Sequence, residues 1–259
     1  MTRPGPTLRW FLGRALDGFS AKLALFDALV ATTLAIVAGV FMRIVGGPRA
    51  AYEQVVPMLG TGLRWSVALP LAFAGLAAVE SDRKAGLLAL AERRGVSLTS
   101  WVRGRAVGVA VMIAVTVGVP MILVSLVFAG LGGGLEGALA RLSLVLPSVV
   151  TGVASGALLG FGAVALGAHV TSRPLALAVL VGSAAFGLAL ERALPGAPGA
   201  VAHALVSPLL ALERLQATLF AERGASFAAG ATGAAVVLVV SFFGTRVASA
   251  AIDQGGVRS

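Results

Sequence analysis

Six apolar runs, at about 23–42, 60–79, 106–131, 142–168, 175–190 and 226–245, constrain this chain more than any other feature. A helix rises about 1.5 Å per residue, so some 20 residues cross a hydrocarbon layer of about 30 Å. In lipid every backbone polar group must be paired internally, which leaves helices or closed barrels. The runs are continuous rather than alternating, and rich in Ala, Leu, Val and Gly, which excludes a barrel. The sequence therefore predicts an all-α polytopic membrane protein with six transmembrane helices in a single transmembrane domain, 1–259. Composition agrees. Only 12% of the 259 residues are charged, against about 25% in a soluble domain. Mean hydropathy is +0.96.

Residues 7–21 carry apolar side chains at Leu8, Phe11, Leu12, Ala15, Leu16 and Phe19, with Arg9, Arg14 and Asp17 off that stripe. This periodicity predicts an N-terminal interfacial helix on the membrane surface. It does not read as a signal peptide, because no small-residue cleavage site follows the apolar run. Orientation follows from the basic residues. With the N-terminus inside, thirteen Lys and Arg lie on the inner side and seven on the outer, so both termini are expected to be cytoplasmic. On this reading the net charge of +9 serves topology and the lipid bilayer, not nucleic acid. The Ala, Gly and Arg usage fits a GC-rich bacterial genome and a multi-pass inner-membrane location.

The strongest local concentration of charge is 80–105, ESDRKAGLLALAERRGVSLTSWVRGR. Six of the twenty basic residues sit there, between two apolar runs. The segment is predicted to be a cytoplasmic coupling loop that docks a partner. The outer segment 191–225 is semi-apolar and broken by Pro195, Pro198 and Pro208, which predicts two short re-entrant or capping helices. Residues 132–141 read as a bare turn. Gly152, Gly156 and Gly160 repeat on one helix face, which favours close packing within the subunit over a dimer seam. Asp27 is expected to pair locally with Lys22. Arg64 is placed at the outer start of the second span, and ionisable residues are expected to be almost absent from span interiors.

Several chemistries are missing. No GxxxxGK[ST] stretch binds nucleotide phosphates, and no HExxH holds a metal. There is no cysteine. His169 and His203 fall on opposite sides of the predicted membrane. The chain is thus not expected to be an enzyme, and no catalytic or metal residues are assigned.

The loop residues carry a resemblance. Glu80 ends span two, Gly86-Leu87-Leu88 follows six residues on, Ser97 lies eleven after Gly86, and Gly104-Arg105 opens span three. This spacing resembles the membrane (permease) subunits of type-2 ATP-binding-cassette exporters. Leu87 stands where that family has Thr, Gly95 where it often has Pro, and Arg105 where it has Lys. Pro195-Gly196 and Ser207-Pro208, followed by Glu213, resemble the start and turn of its paired outer helices. The resemblance implies that Gly86–Gly95 is a coupling helix. Arg83, Lys84, Glu92, Arg93 and Arg94 would supply charged contacts, with Leu87, Leu88 and Leu90 as the apolar face. It implies two further partners: a P-loop ATPase subunit, which carries the ATP and Mg that this chain lacks, and a second membrane subunit in a homo- or heterodimer. Leu69-Pro70-Leu71 with ALAERRGVSLTSWVR is also similar to lipopolysaccharide-transport permeases, which carry a soluble domain where this chain has only 132–141. From another class, an ion-coupled carrier or a membrane assembly factor would also use six spans and a basic loop.

Overall fold

A computed structural model describes residues 10–11, 13, 19–46, 54–131, 134–169, 173–222 and 224–256, and every regular element among them is helical. Helix α1 is Phe19–Ile44. Helix α2 (Val55–Leu63) runs through a π-helical turn, Arg64–Ala68, into α3 (Leu69–Leu76) and α4 (Ala78–Lys84). The short α5 (Leu87–Arg93) leads to the long α6 (Leu98–Gly130). Helices α7 (Leu135–Leu142) and α8 (Val145–Gly156) continue through a second π-helical turn, Ala157–Phe161, into α9 (Gly162–His169). Then come α10 (Arg173–Ala193), α11 (Ala197–Val206), α12 (Pro208–Leu219) and α13 (Phe227–Gly256).

Five stretches among the described residues are long and apolar enough to cross a membrane: Ala21–Ile44, Val55–Lys84, Leu98–Gly130, Leu135–His169 and Phe227–Gly244. The remaining run, 175–190, lies within the 21-residue α10. The predicted interfacial helix at 7–21 and both termini lie largely outside the described residues.

Three expectations are corrected. The second and third spans are longer than their apolar runs and reach from Val55 to Lys84 and from Leu98 to Gly130. Segment 80–105 thus comprises the end of α4, the short α5 and the start of α6, a helical hairpin. Residues 135–142 are a helix rather than a bare turn. The Lys22–Asp27 pair does not form. Five residues on a helix turn about 140°, which puts the two side chains on different faces.

One core ties the bundle together. Leu63 just before the first π turn, Val67 within it, Ile113, Val117 and Met121 on α6, and Leu158 in the second π turn are almost wholly buried in it. Packing is very close where α8 and the second π-helical turn cross α6. A Cβ placed on Gly152 would lie 2.6 Å from the Gly118 Cα, and one on Gly160 would lie 2.6 Å from the Ala110 Cα. The Gly152/Gly156/Gly160 face is therefore used inside the subunit, where only glycine lets the backbones approach this far. Some hydroxyls in the spans bond back to their own helix: Thr116 Oγ1 donates to Met112 O at 2.8 Å and Ser125 Oγ to Met121 O at 2.7 Å, whereas buried Thr151 Oγ1 and Ser155 Oγ have no partner among the described residues. Outside, Phe26, Leu29, Leu34 and Phe41 of α1 and Leu238 and Phe242 of α13 are exposed. An apolar patch on that scale matches hydrocarbon, not water.

The first π turn has a local reason. Pro70 has no N–H to give and its ring would press on the carbonyl four residues back. The wider turn at Arg64–Ala68 just before it opens that crowding; Leu69 N–H reaches Arg64 O.

Candidate functional site

The polar chemistry is gathered at two ends of the bundle. At one end is the hairpin between α4 and α6. Asp82 is completely buried there. Its Oδ2 accepts from Trp101 Nε1 at 2.9 Å and from Arg105 Nε at 2.6 Å, while Oδ1 accepts from Arg105 Nη2. The planar guanidinium meets the carboxylate as a fork, the strongest geometry for such a pair. Arg105 is itself buried, with its Cζ 5.6 Å from the Trp10 ring centroid. Trp10, Phe11 and Trp101 pack ring to ring at 5.0–5.5 Å. Gly104 and Gly108 make room for them. A Cβ on Gly104 would run into the Phe11 ring, and one on Gly108 would sit 3.2 Å from Phe11 O.

Two left-handed glycines shape α5. Gly86 has φ +68° and Gly95 φ +74°, conformations an L side chain rarely adopts. After α5, Gly95 N–H donates to Glu92 O at 2.9 Å and Val96 N–H to Ala91 O at 3.0 Å, the double bond of a Schellman ending. Ser97 then caps α6, accepting from Ser100 N–H at 3.2 Å. Ala91 is buried, and Leu87, Leu88 and Val96 pack against the aromatic cluster. Arg83, Lys84, Leu90, Glu92, Arg93 and Arg94 are exposed. Lys84 Nζ pairs with Glu80 Oε1 at 2.6 Å, one turn back on α4.

The predicted coupling residues thus divide in two. Arg83, Glu92, Arg93, Arg94 and Leu90 form a solvent-facing, mainly basic surface. Gly86, Gly95, Ser97, Gly104 and Arg105 build the frame, and Arg105 is turned inward to Asp82. Asp82 was not singled out in the sequence. Its signal is Val79 one turn before it, also buried, with Trp101 and Arg105 one turn apart on the facing helix.

At the far end, Gly196 (φ +85°) turns the chain from Pro195 into α11, and Ser207 is buried in the extended link to Pro208 and α12. Arg214 on α12 bridges two other elements: Nη2 donates to Glu191 Oε1, and Nε donates to His203 Nδ1 at 3.1 Å. Glu191 Oε2 is also 3.0 Å from His203 Nδ1. Burial holds the His203 pKa below its ordinary 6.5; Glu191 and Glu213 pull it up, and Arg214 pushes it down. Nδ1 thus faces both the Arg214 guanidinium and a Glu191 carboxylate oxygen, while Nε2 is buried with no partner among the described residues.

Arg64 departs from its expected place at the edge of the membrane. It was assigned to the outer start of a span, but lies ten residues inside Val55–Lys84 and is only 3% exposed. Its Nη2 donates to Thr61 Oγ1 at 3.0 Å, while Nη1 is unpartnered among the described residues. Gln216 Nε2 reaches across from α12 to Pro57 O at 2.7 Å and Thr61 Oγ1 at 3.2 Å, leaving its Oε1 unpartnered. The carboxylates whose fields reach Arg64 are Glu213 and Glu222, both exposed. Buried ionisable groups in a span are functional candidates by default, because their desolvation is costly.

Compared with known protein families, curated proteins and solved structures, the chain matches none of them.

Proposed function

We propose that this chain is the transmembrane subunit of an ATP-binding-cassette transporter of the exporting kind, set in a bacterial inner membrane. Two copies, or this chain and a related one, would form the substrate pathway, and a separate P-loop ATPase would dock on the 80–105 hairpin from the cytoplasm. One observation carries the reading. The hairpin presents exposed Arg83, Arg93 and Arg94 on a frame fixed by the buried Asp82–Arg105–Trp101 contact. A basic surface that served only to set topology would not need such a frame. Because Arg105 lies on α6 and Asp82 on α4, a push on α5 passes into two spanning helices rather than into a loose loop. The spacing of Glu80, Gly86, Ser97 and Gly104 points the same way.

The test is a mild-detergent affinity purification of the tagged chain from its host. Recovery of a P-loop ATPase in near-equal amount, lost in Arg93→Ala/Arg94→Ala, supports the reading. A chain that purifies alone and drives substrate flux from an ion gradient without ATP is a carrier instead.

A further inference from the structure

A partly open cavity of about 260 Å³ lies in the described bundle, walled by α3, the second π-helical turn, α9, α10, α13 and the α11–α12 link at Val206 and Pro208. Leu69, Phe73, Leu158, Ala163, Val179 and Val240 contribute to its walls. Ser183 is the one polar side chain in the lining, and its hydroxyl already donates to Leu180 O at 2.8 Å. The second π-helical turn lines the space through Leu158 and Leu159, and Leu69, the residue after the first, lines it as well. Such turns insert an extra residue into a helix and are frequent at functional sites.

The roof is α10, held differently along its length. Near its end it is fixed: Glu191 bonds Arg214, and a Cβ on Gly187 would lie 2.6 Å from Leu210 Cδ1 and 3.1 Å from His203 Cδ2. One to two turns earlier, at Ser183 and Val179, the cavity separates α10 from the core. Water would need two to four polar partners there and finds at most the Ser183 hydroxyl; Leu-, Ile- and Phe-lined cavities of about 150 Å³ stay dry and take benzene.

We infer that this cavity binds one aliphatic chain of a lipid-like amphipath, laid between α10 and the α3–α9 wall. The chain fills space that no side chain of the described residues fills, and the surrounding solvent of the spans is itself hydrocarbon. Binding here requires no ATPase on the hairpin and is independent of the transporter reading. The chain could come from a bilayer phospholipid or from a free amphipathic acid; the recognised chemistry is the same.

The experiment reconstitutes the full chain in phosphatidylcholine–phosphatidylglycerol vesicles containing a phospholipid with a diazirine in its acyl tail. Cross-links are mapped by mass spectrometry after irradiation. The expected result is labelling of Leu158–Leu166 and Val179–Ser183 severalfold above that of Leu29 and Leu34, which face the bilayer on α1. Ala163→Phe and Ser183→Phe, which fill the cavity from opposite walls, should each bring the label down to the α1 level. Two variants are used because either one alone could disturb packing. Labelling that excess palmitate leaves unchanged assigns the chain to bilayer lipid. Labelling that palmitate suppresses assigns it to a free acid. Both outcomes support the site. Label no higher than on α1, or label that survives both filled variants, overturns it. So does a Val179→Cys disulfide joining two copies without tail label, which would put a second chain there; the protein has no other cysteine to confuse that test.

Discussion

The second span carries two buried charges that are held to opposite effect. Asp82 and Arg64 lie eighteen residues apart, about 27 Å along the helix, and both are buried. Asp82 has every near contact it needs: three donors from Trp101 and Arg105, with Arg105 paired in return. Arg64 has one hydroxyl partner, an unpartnered Nη1, and only distant acids. A saturated buried charge pair holds one geometry, because any movement exposes a bare charge to a poor solvent. An undersaturated one leaves alternatives open. The surroundings of Asp82 are therefore built as a fixed joint, and those of Arg64 as a set of polar groups able to exchange partners.

The contrast breaks first at Asp82. Asp82→Ala leaves the Arg105 guanidinium buried beside a hole, and the expected cost is about 3–5 kcal/mol, the usual range for removing one partner of a buried pair. The midpoint of thermal or denaturant unfolding in detergent measures it. Asp82→Leu/Arg105→Leu removes both charges and should recover most of that loss. If the single substitution costs no more than the double one, the joint is not held by this pair.

Arg64 should behave the other way. Arg64→Leu takes away a buried cation with one hydrogen bond, so the expected change is neutral or stabilising, by about 1–4 kcal/mol at most. The same unfolding assay reads it. A stabilised but transport-inactive variant would mark Arg64 as a residue kept for function. A loss as large as that of Asp82→Ala would show that Glu213 and Glu222 already compensate it, and the comparison would fail.

His203 supplies a smaller, pH-dependent test. Its folded pKa lies below the unfolded 6.5 because burial disfavours the imidazolium. Above pH 6.5 both states are neutral and the group contributes no pH dependence. Below it the unfolded chain takes up a proton that the folded chain refuses, so stability falls as the pH falls from 6.5 toward the lowered folded value. The slope is at most about 1.4 kcal/mol per pH unit. The groups facing the ring are Glu191, Glu213 and Arg214, and subtracting a His203→Gln titration isolates the histidine from them. Parallel curves for the two proteins between pH 5 and 6.5 would mean that His203 charges freely in place.

What could be read without coordinates was whatever has a period or a composition. Apolar runs announce spans by length, and the Gly152/Gly156/Gly160 face announces close packing by spacing. The hairpin's glycines and serine announce its turns, since only certain residues tolerate those backbone angles. The partners of buried charges were not legible in the same way. Glu80 and Asp82 are two residues apart in one acidic–basic cluster, and which carboxylate turns inward depends on the phase of α4, set by Val79 and Leu76 beneath it. Arg64 was misplaced because a charged residue looks like the edge of an apolar run, whereas here the run continues outward to Val55 on the far side. Neither π turn has a sequence period of its own, and the helix at Leu135–Leu142 was hidden behind the three glycines that precede it.

The smallest stability effect falls on the residues given the largest functional role. Arg93 and Arg94 are exposed and make no ion pair among the described residues. Replacing both with Ala should change the stability by no more than about 0.5 kcal/mol, the usual bound for exposed side chains, because the α5 ending they sit in is made by backbone bonds that Ala keeps. If the hairpin docks an ATPase, the same double variant should lose the partner in co-purification while the chain folds as before. Asp82→Leu/Arg105→Leu is the complementary case: docking residues intact, frame altered. Retained ATPase binding with transport lost in that variant, against binding lost in Arg93→Ala/Arg94→Ala, would separate the surface that grips from the joint that transmits. If both variants keep both activities, the frame around Asp82 serves stability alone and the basic face serves only the membrane surface.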